Sequence, residues 1–147
     1  MKVIVVGAGI IGASIAWHLS RRGGEVVVID GGAAGASSQS FGWINASFYA
    51  DAAHHRLRVA GIAAYGRLMA VQPDLPIQMS GALWWEDQGA ALHKMKAELA
   101  ALGYPVAHLS RRDAQALGPD VRALPRDLLQ FPDEGAADAG AVAEALL

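Results

Sequence analysis

Residues 1–30 read MKVIVVGAGIIGASIAWHLSRRGGEVVVID, and the reading of this stretch decides the fold. Lys2 to Val6 carries three valines and an isoleucine, the β-branched run of a buried parallel strand. Gly7, Gly9 and Gly12 then give G-x-G-x-x-G where the strand should become a helix. Ile10 to Arg22 reads as that helix, closing on Gly23-Gly24. Val26 to Ile29 is a second β-branched run, and Asp30 ends it.

Each residue type in this pattern has a physical task. Gly7 lets the chain turn tightly off the strand. Gly9 has no Cβ, so a pyrophosphate can approach the backbone, and Gly12 lets the helix lie close to the strands. The free N–H groups and the positive dipole end of the helix then face the phosphate. Asp30 follows Gly12 by 18 residues and can accept hydrogen bonds from a ribose diol. The motif follows a strand, opens a helix and has its acidic partner at the required distance, which is the context that gives it meaning. The competing reading is a tight turn in an α/β domain without a ligand.

The chain of 147 residues is long enough for a domain with a real core. Twelve basic and fourteen acidic residues leave a net charge of −2, which gives no reason to expect nucleic acid or an anionic membrane as partner. Cysteine is absent, which excludes a disulfide framework, a thiolate metal site and a cysteinyl bond to a cofactor within these residues. The glycine turn and Arg21-Arg22 interrupt what would otherwise resemble a secretion signal. No run of 18 apolar residues occurs, so no transmembrane segment is expected, and a cytoplasmic location is.

Beyond Asp30, residues 31–50 are rich in Gly, Ala and Ser and show no helical or strand period. A loop of this length in a compact domain is usually functional. Ser37, Ser38, Gln39, Ser40 and Asn45 offer side-chain hydrogen bonds, and Phe41, Trp43 and Ile44 argue against disorder. Asp51 to Val71 reads as a second helix with Leu57, Gly61, Ala64, Leu68 and Val71 on one face. His54 and His55 are adjacent and so point about 100° apart on a helix, which suits solvated or packed residues better than a shared metal. No metal site is expected.

Pro73 and Pro76 end that helix. Ile77–Met79 and Ala82–Glu86 read as strands paired around Ser80-Gly81, with Trp84 and Trp85 on opposite faces. Gln88–Leu102 is helical, with Leu92, Met95, Leu99 and Leu102 in register. A short strand is expected over Pro105–Leu109, and a helix over Arg111–Leu117 capped by Ser110 with Asp113 at its third position. Leu128–Phe131 reads as a strand, 132–135 as a turn, and Ala139–Leu147 as a helix capped by Asp138.

Nothing between residues 31 and 70 reads as a third core strand, which a simple NAD domain would need. The order GAGIIG, VVVID, GASSQSFGWINA, SGALWWED and FPDEGAADAGAVAEAL resembles the amino-terminal part of the D-amino acid oxidase family, which includes glycine and sarcosine oxidases and related FAD-dependent dehydrogenases. The resemblance implies FAD as cofactor, with its pyrophosphate and ribose held by Gly7, Gly9, Ile10, Ile11, Gly12, Asp30 and Gly31. It places Ser37 and Ser38 near the phosphates and Gly42, Trp43 and Ile44 along the flavin ring, mainly through their backbone.

The fold implied is α/β. A Rossmann-like, ββα-type FAD-binding nucleotide domain (1–75, returning at 132–147) is interleaved with part of an α+β substrate domain (76–131). Family members are more than twice this length, so the chain reads as truncated, and the residues gripping substrate are expected beyond residue 147. The function implied is oxidation of an amine or amino acid by hydride transfer to FAD. No catalytic residue is nominated within 1–147, and these residues alone are expected to be inactive. Two alternatives stand beside it: a noncatalytic nucleotide-binding or assembly subunit completed by another chain or a second copy, and an NAD-dependent dehydrogenase fragment, with Asp30 disfavouring NADP.

Overall fold

The computed structural model describes residues 1–119, 121 and 123–147. They form two compact units. The first comprises 1–44, 64–78 and 136–147, and the second 45–63 and 79–135. This partition gives 45–63 to the second unit, whereas the sequence suggested a first segment unbroken to residue 75. One helix runs through residue 63, so no proline, glycine cluster or change of composition marks the passage.

In the first unit, β1 (Lys2–Val6) and β2 (Glu25–Ile29) pair in parallel, from Lys2↔Glu25 to Val6↔Ile29. Parallel neighbours need a crossover, and α1 (Ile10–Ser20) supplies it. Gly23 takes φ +79°, and the Gly23 and Gly24 amides bond back to Ser20 O and Leu19 O at 2.9 and 3.0 Å. That closure stops the helix at Ser20, and Arg21 and Arg22 belong to the turn. α1 buries Ala13 and Ala16, small residues that let it lie close to Val5. The other face of this two-stranded sheet is uncovered: Ile4 is 66% exposed, Val6 81% and Val27 51%. The β-branched run therefore forms the expected strand without burial on both faces.

A 3-10 turn (Ala36–Gln39) and β3 (Trp43–Ile44) follow. β3 joins β4 (Ile77–Gln78) and β8 (Gly135–Ala137) in a second sheet of order β3-β8-β4. The expected hairpin around Ser80-Gly81 is not formed. β4 pairs antiparallel with β8, whereas β5 (Ala82–Trp84) pairs with β7 (Asp127–Phe131) in a separate sheet. Gly81, at φ +82°, donates its amide to Glu134 O at 2.8 Å, so the connection is tied to the β7–β8 turn instead of folding back on itself. The expected turn at 132–135 gives way to β8 at Gly135. α5 (Ala139–Ala145) closes the unit, capped as expected by Asp138, whose carboxylate accepts the Ala141 amide at 2.9 Å.

The second unit centres on the antiparallel sheet β5-β7-β6, with β6 at Ala107–Ser110. Its central strand β7 is buried on both faces. Leu129 and Phe131 meet Ala46, Tyr104, and Leu92 and Leu99 of α3 (Ala90–Ala101) on one side. Leu128 meets Ala114 of α4 (Arg111–Ala116) and Leu124 on the other. Trp84 packs on the first cluster and Trp85 on the second, as the strand period requires. Ser110 and Asp113 form a reciprocal capping box at the start of α4.

The apolar stripe read for the long helix α2 (Ala52–Val71) is overturned: Leu57 is 71% exposed and Val71 51%. Its buried residue is His55, because polar contacts anchor the helix. Among the described residues, no helix is long and apolar enough to cross a membrane.

Candidate functional site

The site grows from the end of β1. Gly7 turns at φ +100°, and its amide is tied to Ile29 O of β2 at 2.8 Å. Gly9 caps α1 from an extended conformation, and Ala13 N–H bonds to its carbonyl at 2.9 Å. The amides of Ile11 and Gly12 precede that bond and have no acceptor inside the helix, which is how a helix start presents donors to an anion. A Cβ on Gly12 would sit 1.9 Å from Gly7 O, so only glycine permits this approach of helix and turn.

Two side chains from distant positions complete the loop. Asp30 is turned toward it: Oδ2 accepts the Ala8 amide at 2.8 Å and Oδ1 the Gly32 amide at 2.7 Å. Those two bonds, Ala8 first, hold its carboxyl below the ordinary value of 3.8, so it is ionised at neutral pH. A carboxylate has about four acceptor positions; two are used here, and capacity for a ribose diol remains. Ser37 Oγ accepts the Ile10 amide at 2.9 Å, and its proton stays available to a phosphate oxygen. Ser38 Oγ donates to Gly35 O at 2.9 Å, which shapes the turn.

Two clefts meet at Gly9 and Ser37. One, of about 460 Å³, is lined by Ala8, Asp30, the 32–35 loop and Ser38. The other, of about 570 Å³, runs over Val6, Gly7, Ile10, Ile11 and Gly12. Their shared border is where the loop amides converge. The acceptor capacity of Asp30 and the donors at Gly9 and Ser37 fit the ribose and diphosphate of a dinucleotide chemically. A Cβ on Gly9 would already be 3.0 Å from Ser37 Oγ and would stand in that border.

Of the residues expected to hold the cofactor, Gly7, Gly9, Ile10, Ile11, Gly12, Asp30, Ser37 and Ser38 are brought together here. Gly31 is exposed beside Asp30 and lines neither cleft. Gly42, Trp43 and Ile44 also line neither. They enter β3, where Gly42, at φ +66°, accepts the Ala137 amide at 2.9 Å and Ile44 is buried. Sequence reasoning missed the wall made by Gly140, Ala143 and Glu144 of α5. Gly140 was its one signal: a Cβ there would touch Ser38 Cα at 3.4 Å.

The chain belongs to the FAD dependent oxidoreductase (DAO) family, whose pattern it matches over residues 2–147. Over 30 residues, 20% of this chain and 7% of the relative, it is 60% identical to a D-amino acid dehydrogenase of Rhizorhabdus wittichii. Its fold superposes on glycine oxidase from Geobacillus kaustophilus with a TM-score of 0.83 at 24% identity, covering 99% of this chain and 43% of that one. Iminodiacetate oxidase from Chelativorans sp. BNC1 gives a TM-score of 0.86 at 25% identity, covering 100% and 43%. The chain thus spans less than half the length of these relatives. FAD is the cofactor by which the family is described.

Proposed function

We propose that these residues are the FAD-binding amino-terminal portion of an oxidoreductase that oxidises an amino acid or related amine. The observation that carries this reading is the convergence of Asp30, Ser37 and the Gly7–Gly12 amides on the border of two clefts. The family membership and the amino acid-oxidising relatives support it.

In this reading Asp30 accepts the adenosine ribose hydroxyls. The Ile11 and Gly12 amides and the Ser37 hydroxyl stabilise the diphosphate charge. Gly42, Trp43 and Ile44 lie along the flavin through their backbone. Bound FAD supplies the acceptor for the hydride leaving the substrate Cα–H. The first unit serves as the nucleotide domain and the second as part of the substrate domain. No side chain within 1–147 is assigned as acid or base. The chemistry is the cofactor's, and these residues bind and orient it.

Titration of the intact protein with FAD, NAD and ADP tests the cofactor, and anaerobic addition of D- and L-amino acids, glycine and N-methyl amino acids tests the substrate class. FAD uptake with a flavin absorbance bleached by one of these supports the reading. A colourless protein without FAD affinity, or a preference for NAD, overturns it.

A further inference from the structure

Helix α5 brings an acid to the cleft beside Asp30 that the cofactor reading leaves without a task. The helix is tied down at its start. The Ala137 amide donates to Gly42 O at 2.9 Å, the Asp138 amide to Pro76 O at 3.0 Å, and Asp138 Oδ1 accepts the Ala141 amide at 2.9 Å. Val142 and Leu146 are buried on one side. Gly140 and Glu144, one turn apart, share the side that lines the cleft, and Leu147 lines it just past the helix end. A Cβ on Gly140 would lie 3.4 Å from Ser38 Cα, so the backbone of α5 runs close against the 36–39 turn, which holds position 144 on the cleft wall.

Glu144 is exposed, and among the described residues its carboxyl group has no hydrogen bond or ion pair. None of the described residues lining the cleft is a lysine, arginine or histidine. Glu144 also stands in the last turn of α5, where the carbonyl end of the helix dipole disfavours an acid. Local stability therefore gives no reason for an acid here.

The chemistry of the occupant supplies one. Adenosine joined through its 5′ oxygen has three donor groups: two ribose hydroxyls and the exocyclic amine of adenine. Asp30 takes the hydroxyls in the reading above, and the amine is left needing an acceptor. Leu147, lining the same cleft, offers apolar surface to a flat base. An acceptor beside an apolar side chain suits an aromatic amine.

We propose that Glu144 is a specificity-determining residue, which accepts a hydrogen bond from the adenine amino group of the bound dinucleotide. The proposal rests on the cofactor reading given above.

The test uses the intact protein, freed of flavin, as wild type, Glu144→Ala and Glu144→Gln. Calorimetric titration measures FAD, ADP and purine riboside 5′-diphosphate, which is ADP without the amino group. The readout is the ratio of the last two affinities, because removing an acid shifts both diphosphates alike. Wild type is expected to hold ADP about three- to tenfold more tightly, the worth of one hydrogen bond. In Glu144→Ala the ratio is expected to fall to within about twofold of unity. Glu144→Gln keeps an acceptor oxygen and is expected to lie between them. Denaturant unfolding should find Glu144→Ala no less stable than wild type, since the acid leaves the carbonyl end of the helix.

A wild-type protein that binds FAD but holds the two diphosphates equally would overturn the proposal. So would a Glu144→Ala protein that keeps the wild-type ratio. A wild-type protein that takes up neither FAD nor ADP would instead bring down the cofactor reading, and this proposal with it.

Discussion

Replacing Gly12 with alanine probes the joint between α1 and the glycine turn most directly. The added Cβ would lie 1.9 Å from Gly7 O and 3.0 Å from Gly7 C, both backbone atoms that cannot rotate aside. Reaching a C···O contact of about 3.3 Å requires a retreat of about 1.4 Å. The same shift acts on the Ala8 amide at 2.8 Å from Asp30 and the Ile10 amide at 2.9 Å from Ser37, and moves them beyond bonding distance.

Overpacking of this kind costs about 1–3 kcal/mol, and each lost bond adds about 0.5–1.5 kcal/mol. Alanine's better helix propensity returns about 1 kcal/mol. The clash wins, with a net loss of about 1–5 kcal/mol. Gly66→Ala is the control. Gly66 lies within α2 with nothing inside 4 Å of an added Cβ, so it should gain about 0.4–1 kcal/mol. Denaturant unfolding and FAD titration of both variants decide the matter. A Gly12→Ala protein as stable as Gly66→Ala, with wild-type FAD affinity, would refute the reasoning.

On the function proposed above, Asp30→Ala should weaken FAD by roughly tenfold or more, since it removes the charge-assisted bonds proposed to the ribose; calorimetric titration measures it. The folded Asp30 carboxyl lies below 3.8, so its contribution is complete above that value and is lost as pH falls through the lower folded value. FAD affinity followed from neutrality downward should therefore show no step from Asp30 until pH drops below 3.8. Gly42→Ala meets two obstacles, φ +66° and a Cβ 1.8 Å from Ala137 O, and should cost about 2 kcal/mol or more in thermal or denaturant unfolding. Ser110→Ala removes one half of the α4 capping box and should cost about 1 kcal/mol in the same assay, with no change in FAD binding.

The strand, turn, helix and second strand at the amino terminus were legible in type and order, with the helix ending two residues early at Ser20 and the second strand starting one residue early at Glu25. Their signals are local: β-branched runs, glycine spacing, and caps such as Ser110 and Asp138 whose partners lie three residues away. Asp30 was singled out by its distance to Gly12, and its bonds to Ala8 and Gly32 carried no sequence signal. The stripe on α2 misled because Leu57 and its companions keep helical spacing whether or not anything covers them. The hairpin at Ser80-Gly81 misled for a related reason. Two short apolar runs around a glycine fit a hairpin equally well when each pairs with a strand from residues 127–137.

The sequence by itself determined the glycine turn between β1 and α1, because steric freedom at Gly7 and the absence of Cβ atoms at Gly9 and Gly12 are properties of the residues themselves. Only the tertiary structure decided which strands pair, that α5 walls the cleft beside Asp30, and that Glu134 grips Ala46 and Ser47. The Ala46–Glu134 contact alone joins residues 88 positions apart. No periodicity or spacing encodes them, since their partners are chosen by the burial of the whole chain.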